Sequence, residues 1–366
     1  MNADLFGGIY SGKKVLVTGH TGFKGSWLAA WLQRLGAVVT GYALKPSTDP
    51  NHFDLLGLEM DSVIGDVRDL ALLQKTVDRV NPDIVFHLAA QPLVRLSYRQ
   101  PVETFQTNIA GTLHVCEACR KNHAVRALVA ITTDKVYENN EWEWGYREVD
   151  RLGGHDPYSA SKAGAEIVLS SYRSSFFAPD ESRGFLLTSV RAGNVIGGGD
   201  WSLDRLIPDI MKATSRGETV EIRNPAATRP WQHVLECLSG YLSVGQRLLE
   251  GRKEFATAFN FGPGPEGALS VGEVAKKVKQ WWPAMRFETP PQKGAPHEAR
   301  FLQLDCARAF SMLGWRPTWD LDDALKTTVE WYKDFYTQGK ARTGDDIAQF
   351  VRAARKKDAV WTRKTT

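Results

Sequence analysis

The sequence predicts an α/β fold: a doubly wound parallel sheet followed by a smaller, mainly substrate-binding C-terminal domain. Three observations predict it. Short apolar runs alternate with helix-like amphipathic segments over the first half of the chain. Three glycines, Gly19, Gly22 and Gly25, sit three apart between the first apolar run and the first helix. Beyond about residue 195 the alternation gives way to loops rich in Gly, Pro and Trp, such as GGGDW, NPAATRPW and GPGPEG.

The elements follow in order. KKVLVTG reads as a buried strand and GSWLAAWLQRLG as a helix stopped by Gly36. AVVTGYAL is a second strand, and SVIGDV a third that leads into the helix DLALLQKTVDRVN. DIVFHLAA is a fourth strand, followed by one helix over about 101–122 and the strand RALVAITT. A helix at about 158–177 precedes a sixth strand in GFLLTSVRAGNVIG. Strands separated by helices imply parallel crossovers. The expected division is a dinucleotide-binding domain over 1–193 and a substrate domain over 194–366, with some interleaving. The basic end, RAARKKDAVWTRKTT, is expected to be a solvated tail.

Composition excludes several classes. A formal charge of +4 over 366 residues gives no reason to expect a nucleic-acid partner. No apolar run approaches the length of a membrane span. MNADLFGGIYSGKK lacks a basic region followed by an apolar core, and four cysteines form no disulfide scaffold, so a reducing cytoplasm is expected. The Cys116–Cys119 pair lies inside a helical segment and reads as core thiols; no metal site is expected.

The glycines have separate physical jobs. Gly19 lets the chain turn sharply out of the first strand. Gly22, having no side chain, admits a pyrophosphate to the backbone. Gly25 allows the helix to pack close to the sheet, its N-terminus offering unpaired N–H groups. Further on, HDPYSASK sets Tyr158 and Lys162 four apart, on one helical face. A lysine there favours the phenolate, which tyrosine needs to act as a base near neutral pH. Thr133, at the end of ALVAITT, offers a hydroxyl to the same substrate oxygen.

The spacing G-x-x-G-x-x-G in TGHTGFKG, with GDVRD, HLAAQ and Tyr-x-x-x-Lys, resembles the extended short-chain dehydrogenase/reductase family. The resemblance implies a Rossmann-type domain and NAD as cofactor. It implies cofactor contacts from Gly19, Gly22, Phe23, Gly25, Asp66 (adenine), Leu88 and Ala89 (nicotinamide walls), Tyr158 and Lys162, with His20 either touching the pyrophosphate or only capping the turn. Thr133 is followed by Asp134 and Lys135, an acid and a base that simple epimerases do not need. With HLAAQPLVRLSY, RNPAATRPWQHVLE and PHEARFLQLD, this resembles the sugar-nucleotide 4,6-dehydratases, their CDP-glucose branch in particular.

That resemblance implies CDP-glucose as substrate, Thr133, Asp134, Lys135, Tyr158 and Lys162 as catalytic residues, and a product that feeds deoxysugar synthesis for surface polysaccharide. Asp134 would be the acid at C6 and Lys135 the base at C5. It further implies Asn194, Arg205 and Arg229 near the diphosphate, and a homodimer through the helices at about 101–122 and 158–177. Trp201 and Trp231 either stack on the pyrimidine or pack the loops, and Glu298 has no assigned role. The second strand's tip, GYALKPS, carries Lys45 and no carboxylate, which leaves a 2′-phosphate on the cofactor open. Two other readings stay open: another sugar-nucleotide enzyme such as a 4-epimerase, and a dinucleotide-sensing protein without turnover.

Overall fold

The computed structural model describes residues 4–178, 183–264, 267–290 and 301–363. The strands of the first half are β1 (Lys14–Thr18), β2 (Val38–Ala43), β3 (Asp61–Ile64), β4 (Ile84–His87), β5 (Ala127–Ile131) and β6 (Leu186–Ala192). The helices between them are α1 (Phe23–Arg34), α2 (His52–Leu56), α3 (Leu70–Val80), α4 (Val94–Arg99), α5 (Pro101–Phe105), α6 (Gly111–Lys121) and α7 (Pro157–Tyr172). The helix expected over 101–122 is interrupted by a wide π turn at Gln106–Ala110, and α7 runs on into another at Arg173–Phe177. In the first of these turns Asn108 bonds Gln91 and Ser161, tying the helix to the end of β4 and to α7.

The second half begins with β7 (Asn194–Ile196), α8 (Leu206–Ser215), β8 (Thr219–Glu221) and β9 (Thr228–His233). The chain then returns to the first unit through α9 (Val234–Leu249) and β10 (Ala258–Phe261). It leaves again as β11 (Ala268–Ser270), α10 (Val271–Trp281), β12 (Arg286–Glu288), α11 (Ala307–Leu313), α12 (Leu321–Gln338) and α13 (Thr343–Lys356).

All seven strands of the main sheet pair in parallel, in the order β10-β6-β5-β4-β1-β2-β3. The winding reverses at β1, whose Val15 stands opposite both Val39 of β2 and Ile84 of β4. One face buries Leu16, Val85, Leu128 and Leu187 against α3, α6 and α7. The other buries Val15, Phe86, Val129 and Val190 against α1 and α9. Cys116 and Cys119 are buried in the first of these cores. The cap is a small sheet β11-β9-β7 and a β12-β8 pair.

Two expectations are corrected. The alternation does not end near residue 195, because α9 and β10 complete the main sheet after the cap has begun; β10 pairs with β6 from Ala258↔Ser189 to Phe261↔Ala192. The basic end is not a solvated tail through residue 363. Ile347, Phe350, Val351 and Ala354 recur at helical spacing on α13 and are buried, while the cations lie on the opposite side. Trp361 then stacks between Phe6 and Phe350, with ring centroids 5.1 and 5.8 Å away.

Because Trp361 is almost fully buried, Trp361→Ala should destabilise the fold by about 3–5 kcal/mol. Denaturant unfolding checks this; a loss under ~0.5 kcal/mol, normal for a surface position, would place the ring in solvent.

Candidate active site

Reversal of the winding leaves a crevice at the carboxyl ends of β1 and β4. Gly19 turns there with φ +78°, and a Cβ on it would lie 2.7 Å from the Ala89 nitrogen. A Cβ on Gly25 would collide with the Gly19 carbonyl. Both glycines are therefore required by the protein itself. Gly22 is not: its Cβ would meet only the Gly19 oxygen, at an ordinary 3.4 Å. Gly22 is the N-cap of α1 and gives no side-chain cap, so the amides of the first turn face outward. The loop thus has the open, positive mouth that a pyrophosphate fits. Phe23, Leu88 and Ala89 are half-buried around it.

His20 departs from the expected arrangement. Its ring is buried over Gly41, with Nε2 2.7 Å from Ser62 Oγ, and burial lowers its pKa to about 4. The neutral ring fills the space between β2 and β3, so only the backbone of His20 is left to face a ligand in the loop. Asp66 accepts a two-pronged fork from Arg68, which holds its carboxyl below the usual range. Lys45 is exposed at the tip of β2, where Thr21 Oγ1 donates to the Leu44 carbonyl at 2.9 Å.

The next strand tip gathers the candidate catalytic groups. Thr133 follows β5; its hydroxyl donates to Asp134 Oδ1 at 2.9 Å and stands in hydrogen-bonding reach of Tyr158. Asp156 caps α7 by accepting from Ser159 N, and Ser97 Oγ accepts from Tyr158 N at 3.1 Å. Tyr158 and Lys162, one turn apart, are 8% and 5% exposed.

The sequence reading has Lys162 lowering the phenol's pKa. Here burial dominates and pushes Tyr158 up to about 12, against the Thr133 bond and the charge of Arg205. Lys162 Nζ donates to the Ile131 carbonyl at 3.1 Å. Burial, then the neighbouring Lys24, pull its pKa to about 8, opposed by Glu166.

Asp134 is buried, and its Oδ2 has no hydrogen-bond partner. Burial raises its pKa, although Lys135, Thr133, Arg229 and Lys24 all pull the other way. It is a carboxyl held toward its protonated form, with one oxygen kept for something else. Lys135 is half-buried in the same one-turn helix, its N–H directed at Thr133 Oγ1.

The cap contributes the far wall. Arg205 precedes α8 and pairs with buried Asp200 at 3.2 Å. Arg229 lies buried on β9, and Asn194 faces Trp231 in the β7–β9 register. Arg205 and Arg229 are near enough to be felt electrostatically at Tyr158 and Asp134 respectively. Trp201 and Trp231 are packing residues in this structure. Trp201 donates to Tyr336 OH within an aromatic cluster with Trp331 and Phe335, and Trp231 donates to the Leu269 carbonyl. Glu298 lies outside the described residues.

Sequence reasoning missed Lys24 and the Glu166–Arg191 pair. Lys24 is half-buried in the first turn of α1, where burial lowers its pKa and its charge reaches Lys162 and Asp134. A cation inside an otherwise apolar helix start was the available signal. Arg191 sits in the apolar strand LLTSVRA, where a buried charge demands a partner. Glu166 lies four residues after Lys162 and supplies it, at 2.9 Å.

A parallel Rossmann-type sheet, a G-x-x-G-x-x-G loop and a clustered Thr–Tyr–Lys set define an extended short-chain dehydrogenase/reductase. More particularly, the chain belongs to the family described as GDP-mannose 4,6 dehydratase, whose family model matches residues 16–328. It is 51% identical over 328 residues to the CDP-glucose 4,6-dehydratase of Salmonella typhimurium, covering 88% of this chain and 91% of that protein. The crystal structure of the dTDP-glucose 4,6-dehydratase DesIV of Streptomyces venezuelae, with NAD bound, superposes with a TM-score of 0.73 at 26% identity, covering 89% of this chain and 98% of that one. A UDP-glucose 4-epimerase of Thermus thermophilus, solved with NAD, shares the fold at 24% identity and a TM-score of 0.74, covering 87% and 98% of the two chains.

The glycine geometry separates two roles. Gly22→Val should keep the melting temperature near that of the wild type while weakening dinucleotide binding by at least about tenfold, or ~1.4 kcal/mol. Gly25→Val should fail to fold stably. Calorimetric titration beside thermal melts checks both; unchanged affinity in Gly22→Val would put the dinucleotide elsewhere.

Proposed function

We propose that this chain is a CDP-glucose 4,6-dehydratase, an NAD-dependent hydro-lyase that converts CDP-glucose to CDP-4-keto-6-deoxyglucose and water. The observation that carries the reading is the Asp134–Lys135 pair beside Thr133: a buried carboxyl with an unpartnered oxygen, next to an amine, within reach of the Thr–Tyr–Lys set. An enzyme that only moves hydride at C4 has no use for it. The relationship to the Salmonella protein supports the substrate.

NAD, when bound, supplies the acceptor for the C4 hydride and gives it back at C6. Gly22, the first-turn amides of α1, Phe23, Asp66, Leu88, Ala89 and Lys162 would hold it. Tyr158 takes the proton of the C4 hydroxyl, which Thr133 binds. With a ketone at C4, the C5 proton is acidic, and Lys135 removes it. Asp134 protonates the C6 hydroxyl, which leaves as water. Lys135 returns its proton to C5 as C6 is reduced, and the proton from the C4 hydroxyl replaces the one Asp134 gave up, so no net redox change remains. Asn194, Arg205 and Arg229 serve the diphosphate.

The cap, without α9 and β10, forms the substrate side, and β1–β6 with that returning pair forms the cofactor side. Exposed Val102 and Ile167, on α5 and α7 and 68% and 62% exposed, support a homodimer through these helices. No helix among the described residues is long and apolar enough to cross a membrane, and all four cysteines are free thiols. The thiols suit the cytoplasmic setting expected from sequence.

Mass spectrometry of a panel of sugar nucleotides tests the reading. Only CDP-glucose should give efficient conversion to a product lighter by one water; an epimer of unchanged mass, or binding without turnover, would overturn it.

Lys135→Ala should still oxidise C4. It should accumulate the 4-keto sugar and lose C5 exchange with deuterated solvent by about a hundredfold or more. Rapid exchange would remove Lys135 from the role. Asp134 must be protonated to act, so dehydration should decline as pH rises through its raised pKa, and Asp134→Asn should abolish that limb of the pH profile. Static light scattering should give a dimer, and Ile167→Glu a monomer; a monomeric wild type would exclude the interface.

A further inference from the structure

We infer that Tyr137, clamped by the buried Glu166–Arg191 pair, is a positioning residue that holds Asp134 and Lys135 in register with Tyr158 and Lys162. The inference rests on the dehydratase reading above and adds a component to it.

The segment from Thr132 to Tyr137 carries Thr133, Asp134 and Lys135, and its two ends are tied to the same ion pair. At one end, Thr132 Oγ1 donates to Glu166 Oε1 at 2.5 Å. At the other, the Tyr137 hydroxyl accepts from Arg191 Nη1 and donates to Asn260 Oδ1, each at 2.7 Å. Arg191 Nε and Nη2 grip the two oxygens of Glu166, both at 2.9 Å. Ser189 Oγ adds a bond to Glu166 Oε2 at 2.7 Å.

Asn260, on β10, passes the constraint on: its Nδ2 donates to the Tyr146 and Asp305 carbonyls. Tyr137 also stacks on Tyr146 at 5.1 Å and lies under the Arg191 guanidinium at 5.0 Å.

Tyr137, Glu166, Arg191 and Asn260 are buried with their polar atoms bonded to one another and to neighbouring protein groups, unlike Asp134 Oδ2, so they are placed to hold the site and not to act on substrate. Nor does stability explain the pair, since a buried salt bridge is commonly worth no more than an apolar group of equal volume. What it supplies is geometry. Glu166 lies one helical turn beyond Lys162 on α7, and the planar fork of Arg191 fixes the separation between that helix and Tyr137. The groups acting at C4 and those acting at C5 and C6 therefore share one frame, as neighbouring atoms of one sugar demand.

The two ends are not equally held. Thr132 is also fixed in the sheet, its N–H donating to Val190 at 2.8 Å. Tyr137 lies outside the main sheet; its backbone is bridged only to the loop at Leu152, through Glu138 N–H to the Arg151 carbonyl and Gly153 N–H to the Val136 carbonyl, and its hydroxyl alone ties it to the ion pair. Loosening Tyr137 therefore moves Lys135 before Thr133, and the elimination suffers before the oxidation.

Tyr137→Phe removes one oxygen and keeps the ring; Arg191 Nη1 retains the Glu148 carbonyl at 3.3 Å. The expected result is a melting temperature close to wild type, KM for CDP-glucose within about twofold, and kcat lower by about tenfold or more. Rapid quench should find the 4-keto sugar accumulating at a near-normal oxidation rate. Amide hydrogen exchange of residues 134–137 should quicken while that of α7 does not.

Elimination at the wild-type rate, or an equal slowing of oxidation and elimination, would overturn the inference. Wild-type protein that leaves CDP-glucose untouched would bring down the dehydratase reading and this inference with it. Turnover by wild type with an unaffected variant would bring down the inference alone.

Discussion

The winding of the sheet turns back at β1, and the sites depend on that reversal. Helices that cross from β1 toward β3 cover one direction, and those that cross from β4 toward β6 cover the other. Between them the ends of β1 and β4 stay open, and the Gly19 turn can lie directly against the backbone of Ala89. The close approach is possible only without side chains, which is why two of the three loop glycines are required by the protein itself and the third is not. The following strand end, at β5, brings Thr133 to the rim of the same crevice, and α7 delivers Tyr158 and Lys162 to it from the next crossover.

Desolvation then sets the chemical character of the site. Tyr158, Lys162 and Asp134 are each shifted toward their neutral forms by burial. For Asp134 that suits the proposed role, because an acid must hold a proton to give one. For Tyr158 it is an obstacle that positive charge must offset; Arg205 already acts in that direction, and the nicotinamide ring of a bound NAD, cationic until it takes up hydride, would add to it. The charges of Lys24, Arg205 and Arg229 around the acid and the phenol suit a dianionic diphosphate.

Much of this was legible in the sequence where the signal was local. The strands β1 to β6, the glycine loop and the Tyr158–Lys162 spacing each rest on a few adjacent residues whose pattern has one physical meaning. What escaped notice depends on distant partners. AFNF at 258–261 is too short to declare itself, and its pairing with β6 crosses the whole insertion of the cap. The burial of α13 was hidden by a run of cations that share the helix with an apolar stripe. His20 sits inside the motif, yet Gly41, on another strand, decides where its ring goes. The direction of the Tyr158 shift could not be read from a lysine four residues on, since the depth of the phenol, not its neighbour, decides it. Asp134 and Lys135 were found by resemblance; the unpartnered oxygen that gives them meaning is a three-dimensional fact.

The packing of Trp361 on Phe6 joins the two ends of the fold, as does Arg355 on Asp4, 351 residues apart. Contacts of such separation are favoured late, once the intervening chain is ordered and the closure no longer costs the entropy of a loop nearly the length of the molecule. Phe6, Trp31, Phe350 and Trp361 therefore behave as a seal applied last. While the two ends are apart, these four large aromatic rings lack their packing partners, leaving apolar surface of the aggregation-prone kind. The closure makes the completed molecule distinguishable from every partly folded version of itself, and it does so at the face of the sheet opposite α7, away from the groups that do chemistry.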